Sequence, residues 1–292
     1  MIDFSKIGAG NTVDTVLPPR EIFNALPKKA AKLQYPRDVQ SQVWAKWHDR
    51  RNERNLVLKM NTGSGKTVVG LLILKSCLNE NKSPAVYVSP DNYLVQQVMD
   101  AAKELGVEVT DDVNSSRFLS GKSILVINIH KLVNGKSVFG VGDEGSKLKI
   151  SSLIIDDAHA CLETVEDQFT INIPRESNAY SQLHGVFRNA LHQECESKAI
   201  EIEINDPTSY MQVPYWTWQD KISDISKILI NNKKEDCLKW VWPLVKENLK
   251  LSHCVISSSS IEISPHSIPI HMIPSLIDAD RKIFMTATLV DD

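Results

Sequence analysis

The chain's absences narrow it first. None of its five cysteines (Cys77, Cys161, Cys195, Cys237, Cys254) stands in a Cys-x-x-Cys pair or at another ligand spacing. That excludes a zinc ribbon, an iron–sulfur cluster and a disulfide framework, and fits a reduced, intracellular setting. His184, His192, His253, His266 and His271 have no ligand spacing either, and read as surface or satisfied polar residues. No apolar run reaches the ~20 residues that a membrane-spanning helix needs, and the opening Met-Ile-Asp-Phe-Ser-Lys is not a charged-then-apolar leader. The expectation is a cytoplasmic protein without a membrane partner. An excess of positive charge is missing too: 33 basic against 36 acidic residues leave a net charge of −3, so a nucleic-acid partner must be held by a local basic surface. Internal repeats and long low-complexity tracts are absent. With 42% hydrophobic and 24% charged residues over 292 positions, the chain can bury a full core as one large domain or two smaller ones.

What is present centres on Met60 to Thr67, Met-Asn-Thr-Gly-Ser-Gly-Lys-Thr. The apolar run from Asn55 reads as a buried strand, and the run from Val68 as the start of a helix. Glycines, a lysine and a hydroxyl at this spacing between strand and helix make a phosphate-binding loop. Thr62, Gly63, Ser64 and Gly65 wrap the phosphates with backbone N–H groups, Lys66 reaches the terminal oxygens, and Thr67 is placed to hold Mg²⁺. Met60 stands where the general pattern has glycine, so the loop rests on Gly63 and Gly65.

Residues 1–34 read as an N-terminal arm with a short helix from Arg20 closed by Pro27. A helix over residues 41–52 follows, with Trp44 and Trp47 expected in the core. Beyond the loop, further buried strands are expected at residues 85–90, 123–130, 152–159 and 282–289, with a helix over Asn92–Leu105 ended by Gly106. Strands alternating with helices predict a parallel sheet covered on both faces, with the chemistry at the carboxyl ends of its strands. Residues 161–280 interrupt the alternation with helical stretches near 180–198, 218–230 and up to about 251, then a proline-rich, β-branched stretch over 252–274. Within them Tyr210, Tyr215, Trp216, Trp218, Trp240 and Trp242 lie close to Lys221, Lys227, Lys233 and Lys234. They read as a small core with a solvated lysine face, the alternative being a surface that stacks bases and neutralises phosphates.

A phosphate loop that uses Mg²⁺ needs an acidic partner, and Asp156-Asp157-Ala158-His159 follows a buried strand. Asp156 would hold the metal through water, and Asp157 would orient or deprotonate an attacking water. At this point the sequence resembles the superfamily 2 DEAD/DEAH-box helicases. Residues 62–67 look like their motif I, Asp156 to His159 like the Asp-Glu-x-His motif II, and Thr286-Ala287-Thr288 like the Ser-Ala-Thr motif III. Pro90 to Gln97 resembles motif Ia, and the strand end carrying Asn128 and His130 resembles motif Ib. Gln40 sits where the family's adenine-reading glutamine lies, accompanied by Arg37; Phe23 and Tyr35 are candidates either for an adenine stack or for the core.

The resemblance covers roughly residues 20–160 and 280–290. It implies an α/β fold, a P-loop NTPase of RecA type with a doubly wound, mostly parallel sheet: the ATP-binding domain over residues 35–160, a largely helical insertion over 161–280 between motifs II and III, and the last core strand over 281–292. It implies ATP and Mg²⁺ as cofactors, DNA or RNA as partner, and coupling of nucleotide state to nucleic acid through His159, Thr286 and Thr288. Asp157 departs from the family's glutamate, one methylene shorter, and a base displaced by ~1 Å can cost on the order of 10²-fold in rate. The second RecA-like lobe, which supplies an arginine finger worth ~10³–10⁵ in turnover, is not in this sequence. The chain by itself is therefore expected to bind nucleotide and hydrolyse it weakly. The insertion's place is similar to that in excision-repair helicases, though their cluster cysteines are lacking. Two other readings stay open: the double-strand translocase motor of a restriction or defence complex, and a truncated, non-catalytic regulatory module that binds nucleotide.

Overall fold

The apolar runs become strands of one sheet. The computed structural model describes residues 16–27, 29–144 and 147–287. In order come α1 (Pro19–Ala25), α2 (Asp38–Asp49), β1 (Asn55–Lys59), α3 (Lys66–Asn79), β2 (Ala85–Ser89), α4 (Asn92–Leu105), β3 (Val109–Thr110), α5 (Ser116–Leu119), β4 (Ile124–Asn128), α6 (Ile129–Leu132), β5 (Ser152–Ile155) and α7 (Ala158–Gln168). The chain then builds β6 (Ile171–Pro174), α8 (Asn178–Glu194), α9 (Glu196–Glu203), β7 (Tyr210–Gln212), α10 (Tyr215–Asn231), α11 (Asp236–Lys239), α12 (Trp242–Val245), β8 (Ser252–Ser257), β9 (Ser260–Pro265) and α13 (Pro274–Asp278), and returns as β10 (Arg281–Thr286).

The first sheet has the order β1-β10-β5-β2-β4-β3, and all its pairings are parallel. The returning β10 slots between β1 and β5, pairing Lys59 with Thr286 and Phe284 with Ile155. The loop after β1 and the ends of β2, β4, β5 and β10 therefore open on one edge of the sheet. Strands β2, β4 and β5 are buried at every position, as central strands covered on both faces must be. Alternate residues feed two cores. Ala85, Tyr87, Val126, Ile154, Ile283 and Met285 pack with α2, α3 and the arm. Val86, Val88, Leu125, Ile127, Leu153 and Ile155 pack with α7 and the insertion. Helix α3 is buried at ten of its fourteen positions, which explains its apolar, weakly amphipathic sequence.

Local signals set the ends of α4. Asp91 accepts the Leu94 N–H at 2.8 Å, and Gly106 closes the helix in the left-handed conformation at φ 80°. In the arm, Phe23 packs on Trp44 with ring centroids 5.7 Å apart, and Trp44 and Trp47 are core residues. Tyr35 is exposed.

The insertion is rich in helix but is organised round a second sheet, antiparallel, of order β6-β9-β8-β7. The first part of the proline-rich, β-branched stretch after residue 251 is the β8–β9 hairpin. It turns without glycine because the Ser257 hydroxyl accepts the N–H groups of Ser259 and Ser260, at 3.3 and 3.0 Å. The single helix expected up to about residue 251 is instead α11, α12 and a 3₁₀ turn; Pro243 lies in the first turn of α12, where a missing N–H is tolerated. Nor do the insertion's aromatics form a separate small core. Trp218 is buried and joins the core that continues from the parallel sheet, whereas Tyr210, Tyr215 and Trp216 are exposed, and Lys136 and Lys239 lie over the Trp240 ring. No described helix is long and apolar enough to cross a membrane.

Candidate functional site

The loop from Met60 to Lys66 leaves β1 and enters α3, and its two glycines carry the turn. Gly63 has φ 76° and Gly65 has φ 86°, conformations that an L side chain adopts only with strain. A Cβ on Gly63 would meet nothing within 4 Å, so there is open space on that side of the loop, as approaching phosphates require. A Cβ on Gly65 would come within 2.2 Å of Gln40 Nε2. Lys66 and Thr67 form the first turn of α3, where unpaired N–H groups and the helix dipole favour an anion. Ser64 faces back into the loop, its hydroxyl donating to the Asn61 carbonyl at 2.6 Å, and Thr62 is exposed. The buried Met60 begins the loop, and its N–H donates to the Thr286 carbonyl at 3.0 Å.

Arg37 and Gln40 come to the loop, but as braces. Arg37 caps α2: its N–H donates to Gln40 Oε1 at 2.9 Å while its guanidinium donates to the Gly63 carbonyl. Gln40 Nε2 donates to the Gly65 carbonyl at 3.3 Å. Both polar atoms of the Gln40 amide are thus engaged within the chain, and this buried side chain fixes the loop's spacing from α2.

The acidic motif lies directly across. Asp156 follows β5, and its Oδ2 accepts the Tyr87 hydroxyl at 2.7 Å while its Oδ1 accepts the Asp157 N–H at 2.9 Å. Burial holds the Asp156 carboxyl above the usual carboxylate range, with the two hydrogen bonds and Lys66 pulling the other way. The Thr67 side chain reaches the same Tyr87 hydroxyl and acts on its pKa, so loop and acid meet at one buried phenol. Asp157 sits at φ 45° and ψ 61° as the N-cap of α7, a left-handed conformation that short polar side chains tolerate best. Beneath it, the Cys161 thiol donates to the Asp156 carbonyl at 3.2 Å, and burial beside two carboxylates pushes this thiol up to about 12.

The family model of the DEAD/DEAH box helicase matches residues 37–176, which span the loop, the acidic motif and the strands between them. Residues 37–176 are a DEAD/DEAH box helicase domain. The structure of S. tokodaii Xpd4 has the same fold, with a TM-score of 0.52 and 17% identity over 87% of this chain. This chain spans 57% of that one. An apo XPD structure matches at TM-score 0.44 and 15% identity, over 87% of this chain and 53% of that one, and a truncated XPD at 0.40 and 12%, over 87% and 94%. No curated protein matches the sequence.

The residues expected as further helicase motifs lie at the other strand ends or in the helices that follow them. Asn128 ends β4 and caps α6; its Oδ1 accepts the Lys131 N–H at 2.9 Å and its amide donates to Asn92 Oδ1 at 2.7 Å, joining the strand ends expected as motifs Ib and Ia. Pro90 is buried, Gln97 is exposed on α4 and His130 is exposed on α6. His159 and Thr286 lie in different surroundings. The imidazole is exposed, with Nε2 3.2 Å from Glu163 Oε1, and Thr286 is buried at the end of β10. Thr288 lies outside the described residues. Sequence reasoning missed Tyr87, Asn92 and Cys161. Of these, Tyr87 had a signal: it is the one large polar residue in an otherwise small and β-branched strand, two positions before the strand end.

Thr67 and Asp156 offer hard oxygen donors on two sides of the Tyr87 phenol, and no cluster of three or more His, Cys, Asp or Glu with metal-site geometry occurs among the described residues. That donor set fits Mg²⁺, which is commonly held by one or two protein oxygens together with water and substrate phosphates.

Proposed function

We propose that the chain is the ATP-binding first lobe of a nucleic-acid-dependent ATPase of helicase type. The observation that carries this is the line from Thr67 through Tyr87 to Asp156, because it makes the phosphate loop and the acidic box one site. Lys66 and the first N–H groups of α3 bind the nucleotide phosphates, and Gly63 and Gly65 let the backbone approach them. Thr67 and Asp156 hold Mg²⁺, which when bound neutralises charge developing on the phosphoryl oxygens. Asp157 orients the attacking water and takes its proton. Arg37 and Gln40 keep the loop spaced from α2 and border the base. The segments that follow β2, with Pro90 and Gln97, and that end β4, with Asn128 and His130, face the nucleic acid, and Thr286, joined to Met60 by a backbone hydrogen bond, passes the nucleotide state towards it. The lobe comprises residues 35–160 with 281–292, and residues 161–280 are its insertion.

Full turnover requires a second RecA-like lobe, in a longer chain or a partner. The test is ATP hydrolysis by this chain, and by the chain joined to such a lobe, with single- and double-stranded DNA and RNA and a Lys66→Ala control of each. Stimulation by one polymer that disappears with Lys66→Ala supports the reading and names the track. Nucleotide binding with no stimulation by any polymer in either form opposes it.

A further inference from the structure

Tyr87 belongs to none of the helicase motifs, yet it stands at the centre of the site. It is fully buried on the sheet face that packs against α3. A Cβ on Gly70 would approach its Cε2 to 2.7 Å, so this turn of α3 must be glycine for the ring to pass beneath the phosphate-loop helix. The ring thereby delivers a phenol between two side chains from different elements. One is Thr67 at the start of α3, and the other is Asp156 at the end of β5, 2.7 Å away.

A hydroxyl that ligates a cation through its oxygen must place its hydrogen on some other acceptor. We propose that Tyr87 is the positioning residue of the metal site: it accepts the Thr67 hydroxyl hydrogen and donates its own to Asp156 Oδ2, turning the free lone pairs of both ligands towards one point. Partners of this kind, which orient the groups that touch the metal, commonly set metal affinity by about 10–100-fold. The inference rests on the reading that a magnesium nucleotide occupies the loop.

The test is the Mg²⁺ dependence of fluorescent ADP binding, compared between the native chain and Tyr87→Phe, with binding in EDTA and thermal melting alongside. Phenylalanine keeps the ring against Gly70 and removes only the hydroxyl. The expected result is a half-saturating Mg²⁺ concentration raised by about tenfold, with affinity in EDTA unchanged. Gly70→Ala, which pushes the ring without removing its hydroxyl, is expected to raise the same midpoint by a smaller factor, and carries the test if Tyr87→Phe does not fold. In an Asp156→Asn background, Tyr87→Phe is expected to add little further loss. An unchanged Mg²⁺ midpoint in a folded Tyr87→Phe chain, or in Gly70→Ala should it be the only one to fold, overturns the inference and leaves Tyr87 a satisfied core residue. Native binding of nucleotide that ignores Mg²⁺ overturns the metal reading itself.

Discussion

The two faces of the parallel sheet do different work with the same strands. On one, Tyr87, Val126, Ile154 and Met285 pack against the phosphate-loop helix and its braces. On the other, Val86, Leu125, Leu153 and Ile155 pack into a core that runs without a break into the insertion, through Phe187 and Trp218 to Ile256 and Ile263. Because side chains alternate along each strand, the residues that back the proposed nucleotide site and those that anchor the insertion are immediate neighbours. An insertion mounted in this way is part of the lobe's own core, and cannot loosen without disturbing β2, β4 and β5.

The largest effect expected from separating the faces is at Glu80. Its carboxylate pairs with Arg281 at 2.6 Å, and Arg51 lies 3.7 Å from its other oxygen, tying the loop helix to β10 and α2 where both charges are almost fully buried. Glu80→Ala leaves the Arg281 charge unpaired and is expected to cost about 3–5 kcal/mol in urea unfolding. Ile263→Ala, on the insertion side, is expected to cost about 2–5 kcal/mol. If the core is shared, this change shifts the same single transition whether followed by far-ultraviolet circular dichroism or by tryptophan fluorescence; two separate transitions would mark the faces as independent.

Effects confined to the nucleotide face come next. Gly65→Ala must bear a left-handed backbone, about 1–2 kcal/mol, and also displace the braced Gln40 amide. Gly63→Ala bears the backbone strain alone. Nucleotide affinity is therefore expected to fall more for Gly65→Ala than for Gly63→Ala, measured by fluorescent ADP titration. Asp156 supplies a pH signature. Its folded pKa lies above the unfolded value, so the folded state holds its proton to higher pH, and stability falls as pH rises from the unfolded pKa to the folded one. Asp156→Asn is expected to remove that decline in chemical unfolding and to be the more stable protein at neutral pH, while losing Mg²⁺-dependent binding. The smallest effect is at the solvated pair Arg188–Glu203 on the insertion, at 2.9 Å. Arg188→Ala is expected to leave the urea midpoint of unfolding indistinguishable from that of the native chain, because solvent screens the exposed pair.

How much was legible in the sequence follows the same division. Phosphate and metal chemistry fixes residue types at fixed spacing, so Lys66, Thr67 and Asp156 stand out as candidates, and the strands that lead to them, β1 and β5, form where the sequence places them, as does α4 over Asn92–Leu105. Gln40 was legible through family position, but its bracing of the loop was not, because that depends on α2 lying against Gly65. Tyr87 stood out in its strand as a large polar residue, but its role could not be read because its partners come from α3 and from the end of β5, far apart in sequence. The insertion answers only to packing. Its hairpin strands alternate with serine and histidine, and the turn uses serine where glycine or asparagine would have signalled one.

The central claim is that loop and acidic box form one magnesium-nucleotide site, and its most direct test is equilibrium binding of fluorescent ATP to the native chain, Lys66→Ala and Asp156→Asn, with and without Mg²⁺. Lys66→Ala is expected to weaken binding in both conditions, whereas Asp156→Asn is expected to match the native chain in EDTA and to lose only the gain that Mg²⁺ provides. Native-like binding by Lys66→Ala, or an Mg²⁺ gain that survives Asp156→Asn, would contradict the claim.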